Sequence, residues 1–130
     1  MFPPGDINTA ADPNLCDEEH FSPLLKAIEC AFIKGIQLLL KAGADINYNH
    51  PETHETPLHS AIEMNSEEMV HILTHTKNID VNAATTNGGT PLHLAIKNVN
   101  LGIFNLLMKH GKIDLLQLDS KGNSVLHIAL

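Results

Sequence analysis

The chain has 130 residues and a formal net charge of −7, and all eight of its basic residues are lysine. Arginine is the usual bidentate partner of phosphate and of guanine, so an acidic chain without arginine is a poor candidate for a nucleic-acid-binding protein. An acidic surface suits a protein partner with a basic surface better. The hydrophobic content of 43% is enough for one folded domain, and 4% aromatic residues with no Trp predict an aliphatic core.

Cys16 and Cys30 are the only cysteines. Two thiols do not make a disulfide framework, which favours a reducing compartment, although a Cys16–Cys30 bridge stays open as an alternative. The first residues lack the basic start and apolar run of a signal peptide, and no apolar stretch reaches the length of about 18 residues that spans a membrane. We therefore expect an intracellular, cytoplasmic protein with no membrane association.

The predicted elements follow the chain in pairs. Segment 1–20 is rich in Pro, Asp, Asn and Glu, and we expect a mostly flexible acidic tail there. Apolar spacing predicts helices at about Pro23–Cys30 and Ile33–Lys41, the second of which ends before Gly43, a residue suited to the left-handed position after a helix. The same signals predict four later helices, at about Pro57–Met64, Glu67–Thr74, Pro91–Asn98 and Leu101–Lys109.

One seven-residue motif begins each pair. It is clearest as Thr56–Ile62 and Thr90–Ile96, with weaker copies at Ser22–Ile28 and Ser124–Leu130, and the four starts are each 34 residues apart. Ser or Thr caps the helix, Pro takes the first helical position, and Leu and Ala fall three residues apart on one face. Self-similarity at a fixed period of this size predicts stacked supersecondary units.

The motif resembles that of the ankyrin repeat family, which carries Thr-Pro-Leu-His-x-Ala at the start of the first helix in units of about 33 residues. The resemblance covers about residues 21–130 and rests on Thr56–Ala61, Thr90–Ala95, the run Leu39–Asn47, Gly88 and Gly122. It implies an all-α solenoid of helix-turn-helix units joined by β-turn loops. The implied repeats are 21–54, 55–88, 89–122 and a partial fourth at 123–130.

The first inter-repeat turn is expected to differ from the later ones. The interval from Asp45 to Thr56 is 11 residues, whereas the interval from Asp80 to Thr90 is 10. His54 also occupies the place where later units have glycine. Tyr48 lies at the start of this turn, either as an anchor for a partner or as a brace for the turn.

Nine histidines raise the question of a metal site. His59, His93 and His127 are explained by the resemblance, which implies that they bond the Thr hydroxyl and the backbone between adjacent units. His71 and His75 lie four apart on a predicted helix, and His50 and His54 share a turn with two glutamates, but neither set offers a preorganised zinc site. We expect no metal and no cofactor.

No arrangement of nucleophile and base is present, so the sequence predicts no enzyme. Asn47 and Asn82 each end an Asp-(Ile/Val)-Asn triplet. In the ankyrin family such residues stabilise the turn, and they are also candidate targets of an asparaginyl hydroxylase. We favour the structural role.

The resemblance implies a protein–protein interaction module that binds through a concave surface made of turn tips and first-helix faces. The expected contact residues are Tyr48, Asn49, Glu52, Thr85, Thr86, Asp119 and Lys121 at the tips, and Glu29, Glu63, Met64, Lys97 and Asn98 on the helices. Two alternatives stay open: a recruiting arm of a larger enzyme or pathogen effector, and a small inhibitor or decoy acting in a host cytosol. We expect a monomer, with weak self-association through the C-terminal end as an alternative.

Overall fold

The computed structural model describes residues 12–86 and 89–116, and over these ranges it has six α-helices and no strand. The helices are α1 (Pro23–Glu29), α2 (Ile33–Lys41), α3 (Pro57–Glu63), α4 (Glu67–Thr74), α5 (Pro91–Lys97) and α6 (Leu101–Met108). The two helices of each pair pack together, α1, α3 and α5 stack in a row, and α4 packs on α6. The predicted all-α solenoid is confirmed over the described ranges.

The first helix of each pair begins where the motif predicts. The Ser22 hydroxyl accepts from the Leu25 N–H at 3.2 Å, and Thr56 and Thr90 accept from the residues three positions later at 3.4 and 3.3 Å. Pro follows each cap, so its missing N–H removes no helical hydrogen bond. The three helices end one residue before the predicted bounds.

The corner between the two helices of each pair is shared by all three pairs. Ala31, Asn65 and Val99 each adopt a left-handed φ, of 53°, 55° and 54°. The following N–H returns to the first helix, as in the 2.9 Å bond from Phe32 to the Ala27 carbonyl. These backbone bonds satisfy helix-end carbonyls, so the corner keeps its shape although its side chains differ.

The core is aliphatic, as predicted from composition. Leu24, Leu58 and Leu92, at equivalent motif positions, are each 1% exposed. They meet second-helix side chains such as Ile36 and Leu73, which are fully buried. Each pair buries its apolar face against the next pair, so stability comes from stacking.

The structure describes the expected tail segment from residue 12 onward. Residues 12–20 form a turn, called here the N-terminal turn, that is hydrogen bonded to the first repeat. The Asn14 side-chain amide donates to the Gly43 carbonyl at 3.3 Å, and its oxygen accepts from the Asp45 N–H at 2.6 Å. This part of the chain is therefore tied to the solenoid.

Several predicted features lie outside the described residues. They are the fourth motif copy at Ser124–Leu130 with His127, the tip residues Asp119 and Lys121, and the glycines Gly88 and Gly122. Among the helices of the described ranges, none is long and apolar enough to cross a bilayer.

Candidate functional site

A row of exposed side chains follows the ends of the stacked first helices. Glu29, Glu63 and Lys97 occupy the last position of α1, α3 and α5, and all three are exposed. Met64, one residue later, is 45% exposed, whereas Asn98 at the equivalent position is half-buried. Because the three helices stack, the five predicted helix residues share one surface of the solenoid.

The predicted tip residues of the first two turns also meet. The Thr86 N–H donates to the Thr53 carbonyl at 2.9 Å, and the Thr86 hydroxyl donates to the Glu52 carbonyl at 2.9 Å. Asn49, Glu52 and Thr86 are exposed, and Thr85 is half-buried. The first and second turns therefore form a connected ridge with polar side chains.

Tyr48 has a structural contact that restricts its use as an anchor. Its hydroxyl donates to the His20 carbonyl, and the residue is half-buried. Hydrogen bonding with the Cys16 side chain, followed by burial and by electrostatic interaction with Cys16 and Asp17, raises the pKa of Tyr48 to about 12. These contacts fit the role of a brace between the N-terminal turn and the first turn.

His50 has a role that the sequence analysis missed. Its Nε2 lies 2.9 Å from the Glu19 carbonyl, and its Nδ1 accepts from the Glu52 N–H at 3.2 Å. The two bonds together assign the neutral ring with the proton on Nε2. The residue is 7% exposed, and its ring lies 5.0 Å from that of Phe21. His50 lies outside the repeated motif, so no periodic signal marks it.

His59 makes the contacts that the resemblance implies. Its Nδ1 lies 2.7 Å from the Thr56 hydroxyl, and its Nε2 lies 3.0 Å from the Gly89 carbonyl in the next repeat. Burial lowers the pKa of His59, while the bond to Gly89 acts in the opposite direction. His93 has the same hydroxyl contact, with Thr90 at 2.6 Å.

A ladder of asparagine side chains crosses each boundary between turns. Asn47 donates to the Asn78 carbonyl and accepts from the Asp80 N–H, both at 2.7 Å. Asn82 makes the same pair of bonds with Lys112 and Asp114, at 2.7 and 2.8 Å. The favoured turn-stabilising role therefore has the required contacts. Asn14 is the residue that the sequence analysis missed, although Asp12-Pro13-Asn14 repeats the Asp-x-Asn spacing.

The remaining candidate metal ligands are occupied by other contacts or face solvent. The His71 and His75 rings stack at 4.1 Å, and the His75 Nδ1 lies 2.8 Å from the His71 carbonyl. His54 is exposed, with a left-handed φ of 59°. The part of the chain described by the structure contains no group of three or more His, Cys, Asp or Glu that could hold a metal ion.

Both cysteines described by the structure carry free thiols. Cys30 is exposed at the C-terminal cap of α1. Cys16 is half-buried beside Tyr48.

Two family models match the chain. A model of ankyrin repeats in three copies matches residues 6–85, and a model of ankyrin repeats in many copies matches residues 72–129. The first match begins ahead of the N-terminal turn, in agreement with the repeat-like bonds of Asn14.

Curated relatives agree with the family models. The chain is 32% identical over 87 residues to ankyrin repeat and MYND domain-containing protein 1 of Mus musculus, covering 60% of this chain and 9% of that protein. It is 36% identical over 85 residues to a putative ankyrin repeat protein of fowlpox virus, covering 65% and 14%. A shorter match, 38% identical over 50 residues, joins it to the human 2-5A-dependent ribonuclease, covering 38% and 7%.

The chain therefore spans less than a sixth of the length of these relatives. The motif contacts of His59, the asparagine ladder and the family match over residues 6–85 lead to one assignment. The chain belongs to the ankyrin repeat family, whose members are protein-interaction modules.

Proposed function

We propose that this chain binds a protein partner through the surface formed by its turn tips and the exposed ends of its first helices. The observation that carries the proposal is the row of Glu29, Glu63 and Lys97, which are exposed at equivalent positions of three stacked helices. Equally spaced side chains on a rigid stack present an extended surface to one partner. The family's concave surface is the corresponding region.

The charges along this surface favour a partner with basic groups opposite the first two repeats. Glu29, Glu63 and the tip residue Glu52 are all exposed and acidic. Exposed charges steer association more than they add affinity, so binding is expected to weaken with salt. Met64 beside Glu63 supplies an adaptable apolar contact. No catalytic step or cofactor is assigned to this surface.

A second candidate role is recruitment within a larger protein. The relatives are several times longer than their match to this chain, and the human relative is named as a ribonuclease although the match covers 7% of it. In this role the repeats bring a target to an activity carried elsewhere. Two free thiols support a cytosolic location for either role.

Capture from a cytosolic extract with the wild-type chain as bait, followed by mass spectrometry, identifies a candidate partner. Affinity and melting temperature are then measured together for two variants. Glu63→Lys changes the proposed surface, and Glu68→Lys makes the same charge change at an exposed position of α4. We expect lost affinity for Glu63→Lys and unchanged affinity for Glu68→Lys, at nearly constant stability. The reverse pattern contradicts the assignment of the surface.

A further inference from the structure

An apolar groove lies on the outer side of the first helix pair. It has a volume of about 600 Å³ and is lined by Ala27, Cys30, Phe32, Gly35, Leu38 and Leu39. We call it the N-terminal groove. Phe32 and Leu38 are 57% and 56% exposed, so two large apolar side chains face solvent at one place. Such patches mark interaction sites more often than scattered apolar residues do.

The repeat register shows what kind of element fits this groove. Leu39 is half-buried, whereas Leu73 and Leu107 at the equivalent positions of α4 and α6 are 0% exposed. Ala27 is 8% exposed, and Ala61 at the equivalent position of α3 is 0% exposed. The later helix pairs have another pair on their N-terminal side, and among the described residues no helix pair covers the N-terminal groove. The face is therefore shaped to receive packed helices.

Gly35 contributes to the shape of the groove. A Cβ atom on Gly35 would lie 2.4 Å from the Phe32 ring, which is closer than two carbon atoms can approach. The absence of a side chain lets the Phe32 ring lie against the backbone of α2. The aromatic ring thus forms a wall of the groove.

The charge of the helix pairs alternates in sign along the stack. Residues 23–41 carry Lys26, Lys34 and Lys41 against Glu29, a net charge of +2. Residues 57–74 contain no lysine and carry a net charge of −3, from Glu63, Glu67 and Glu68. Residues 91–109 carry +2, from Lys97 and Lys109 without any acidic residue. Neighbouring pairs thus complement each other in charge, and an element that continued this pattern on the N-terminal side would be acidic.

The lysines of the first pair border the groove. Lys26 lines it directly and also lies 3.8 Å from Asp17, an exposed ion pair that contributes little stability. Lys34 and Lys41 fall on the same side of α2 as Leu38, since residues three and four apart share a helix face. The +2 charge of residues 91–109 disfavours a second copy of this chain stacking head to tail through that pair.

We propose that the N-terminal groove is a docking site for an amphipathic helix of a protein partner, one whose apolar face is flanked by Asp or Glu. The apolar face covers Phe32, Leu38 and Leu39, and the flanking acids meet Lys34 and Lys41. The groove shares no lining residue with the contact residues proposed on the turn tips and first-helix ends, although Cys30 at its edge follows Glu29 directly.

The test uses two synthetic, stapled helical peptides of about 18 residues, a length of five turns. Both carry Leu on one face; one has Glu on its flanks and the other has Lys at the same positions. Fluorescence anisotropy with the full chain measures both affinities. We expect the Glu peptide to bind at least about tenfold more tightly, a difference of about 1.4 kcal/mol, and to weaken as salt increases. Equal affinities, or no binding of the Glu peptide, overturn the proposal.

Matched variants locate the site. Leu38→Gln changes the groove, and Leu101→Gln makes the same change at a 70% exposed position of α6 outside it. The double variant Lys34→Glu/Lys41→Glu is paired with Lys77→Glu/Lys112→Glu, at exposed positions in the later turns. We expect each groove variant to lower affinity for the Glu peptide by about tenfold and each control to leave it unchanged. A loss of affinity in the controls alone contradicts the proposal.

Cys30 provides a direct readout at the groove. The Glu peptide is expected to slow alkylation of Cys30 by iodoacetamide while leaving the rate at Cys16, outside the groove, unchanged. Two results assign the groove to another occupant and overturn the proposal. One is wild-type self-association abolished by Leu38→Gln. The other is a wild-type chain that does not bind the peptide, combined with a Leu38→Gln variant that melts at a lower temperature than wild type. This combination shows that the chain itself fills the groove.

Discussion

At two junctions between neighbouring turns, a backbone carbonyl at the same repeat position accepts a hydrogen bond, but the donor differs. At the first junction, between the N-terminal turn and the first turn, His50 bonds the Glu19 carbonyl. At the second junction, between the first and second turns, the Thr86 N–H bonds the carbonyl of Thr53, which lies 34 residues after Glu19. The repeat determines where the acceptor lies, and the local sequence determines which group reaches it.

The contrast extends to the other contacts of the two junctions. The first is braced by the Tyr48 hydroxyl on His20, and the second by His59 on Gly89. Leu25 occupies the motif position of His59 in the first repeat, so the first repeat has no histidine to make that bond. Side chains outside the motif provide the link there.

Substitutions in the core beneath the two junctions have the largest expected effect. They test whether the two parts of the core contribute equally to stability. Leu24→Ala and Leu58→Ala each remove a side chain that is 1% exposed. We expect each to lower the free energy of unfolding by about 2–5 kcal/mol, because the lost contacts and the cavity both act. Urea denaturation of both variants measures the difference. A urea midpoint that is unchanged in Leu58→Ala contradicts the repeat packing.

Substitutions of His59 and His50 compare the two junctions directly. His59→Ala leaves the Gly89 carbonyl without its donor, and His50→Ala does the same to the Glu19 carbonyl. A lost bond of this kind reduces stability by about 1–3 kcal/mol when the remaining group stays buried. We expect His59→Ala to lower the global melting midpoint and His50→Ala to speed hydrogen exchange mainly in residues 12–20. If both variants speed hydrogen exchange uniformly along the chain, the expected difference between the two junctions is contradicted.

The pH dependence of stability tests the burial of His59. Burial lowers the pKa of His59 in the folded state, so the unfolded chain binds the proton more readily. The stabilisation is therefore complete above the unfolded pKa of about 6.5 and is lost as pH falls toward the folded pKa, by at most about 1.4 kcal/mol per pH unit. Denaturation of wild type and His59→Gln between pH 8 and about pH 5 measures this. The variant is expected to show a shallower slope.

Tyr48 tests the brace at the first junction. Tyr48→Phe removes the hydroxyl that bonds the His20 carbonyl, with an expected loss of about 0.5–1.5 kcal/mol. It is the only tyrosine in the chain, so its ionisation is visible without interference in the ultraviolet absorbance. Because the pKa of Tyr48 is raised to about 12, the folded protein is expected to form tyrosinate at a higher pH than a denatured control does. Ionisation near pH 10 in the folded protein would contradict the contact with Cys16 and His20.

The smallest expected effect concerns the left-handed residue at the end of the first turn. His54 has a φ of 59° and is exposed. A side chain in this conformation reduces stability by about 1 kcal/mol relative to glycine, so His54→Gly is expected to raise the melting midpoint slightly. His20, with a φ of 69°, is the matched control, because its ring also contacts that of His50. A smaller gain is expected for His20→Gly.

The sequence predicted the features that repeat and missed those that do not. The caps, the helix starts and the bonds of His59 follow from a motif with a fixed period, so each copy supports the others. His50 and Tyr48 contact the N-terminal turn from positions outside the motif, and no local propensity indicates where that turn folds back. A Pro- and Asp-rich composition fits a repeat turn as well as a flexible segment, so it gave no sign of the hydrogen bonds that residues 12–20 make.

The exposed row of Glu29, Glu63 and Lys97 could be placed from the sequence, since the three residues lie 34 positions apart and the period makes them equivalent. The N-terminal groove could not be placed from the sequence. Its form depends on the Phe32 ring lying against Gly35, a contact within one corner that has no counterpart in the other repeats.

The Asn14 bonds bear on where this protein can be shortened. A chain that starts at residue 21, the boundary suggested by the first motif copy, loses both bonds from Asn14 to Gly43 and Asp45, together with the acceptors of Tyr48 and His50. Four groups of the first repeat would then need water as a substitute. A shortened protein that keeps Asp12 and all that follows retains every one of these contacts, so the smallest fragment that preserves the first repeat begins nine residues earlier than the motif suggests.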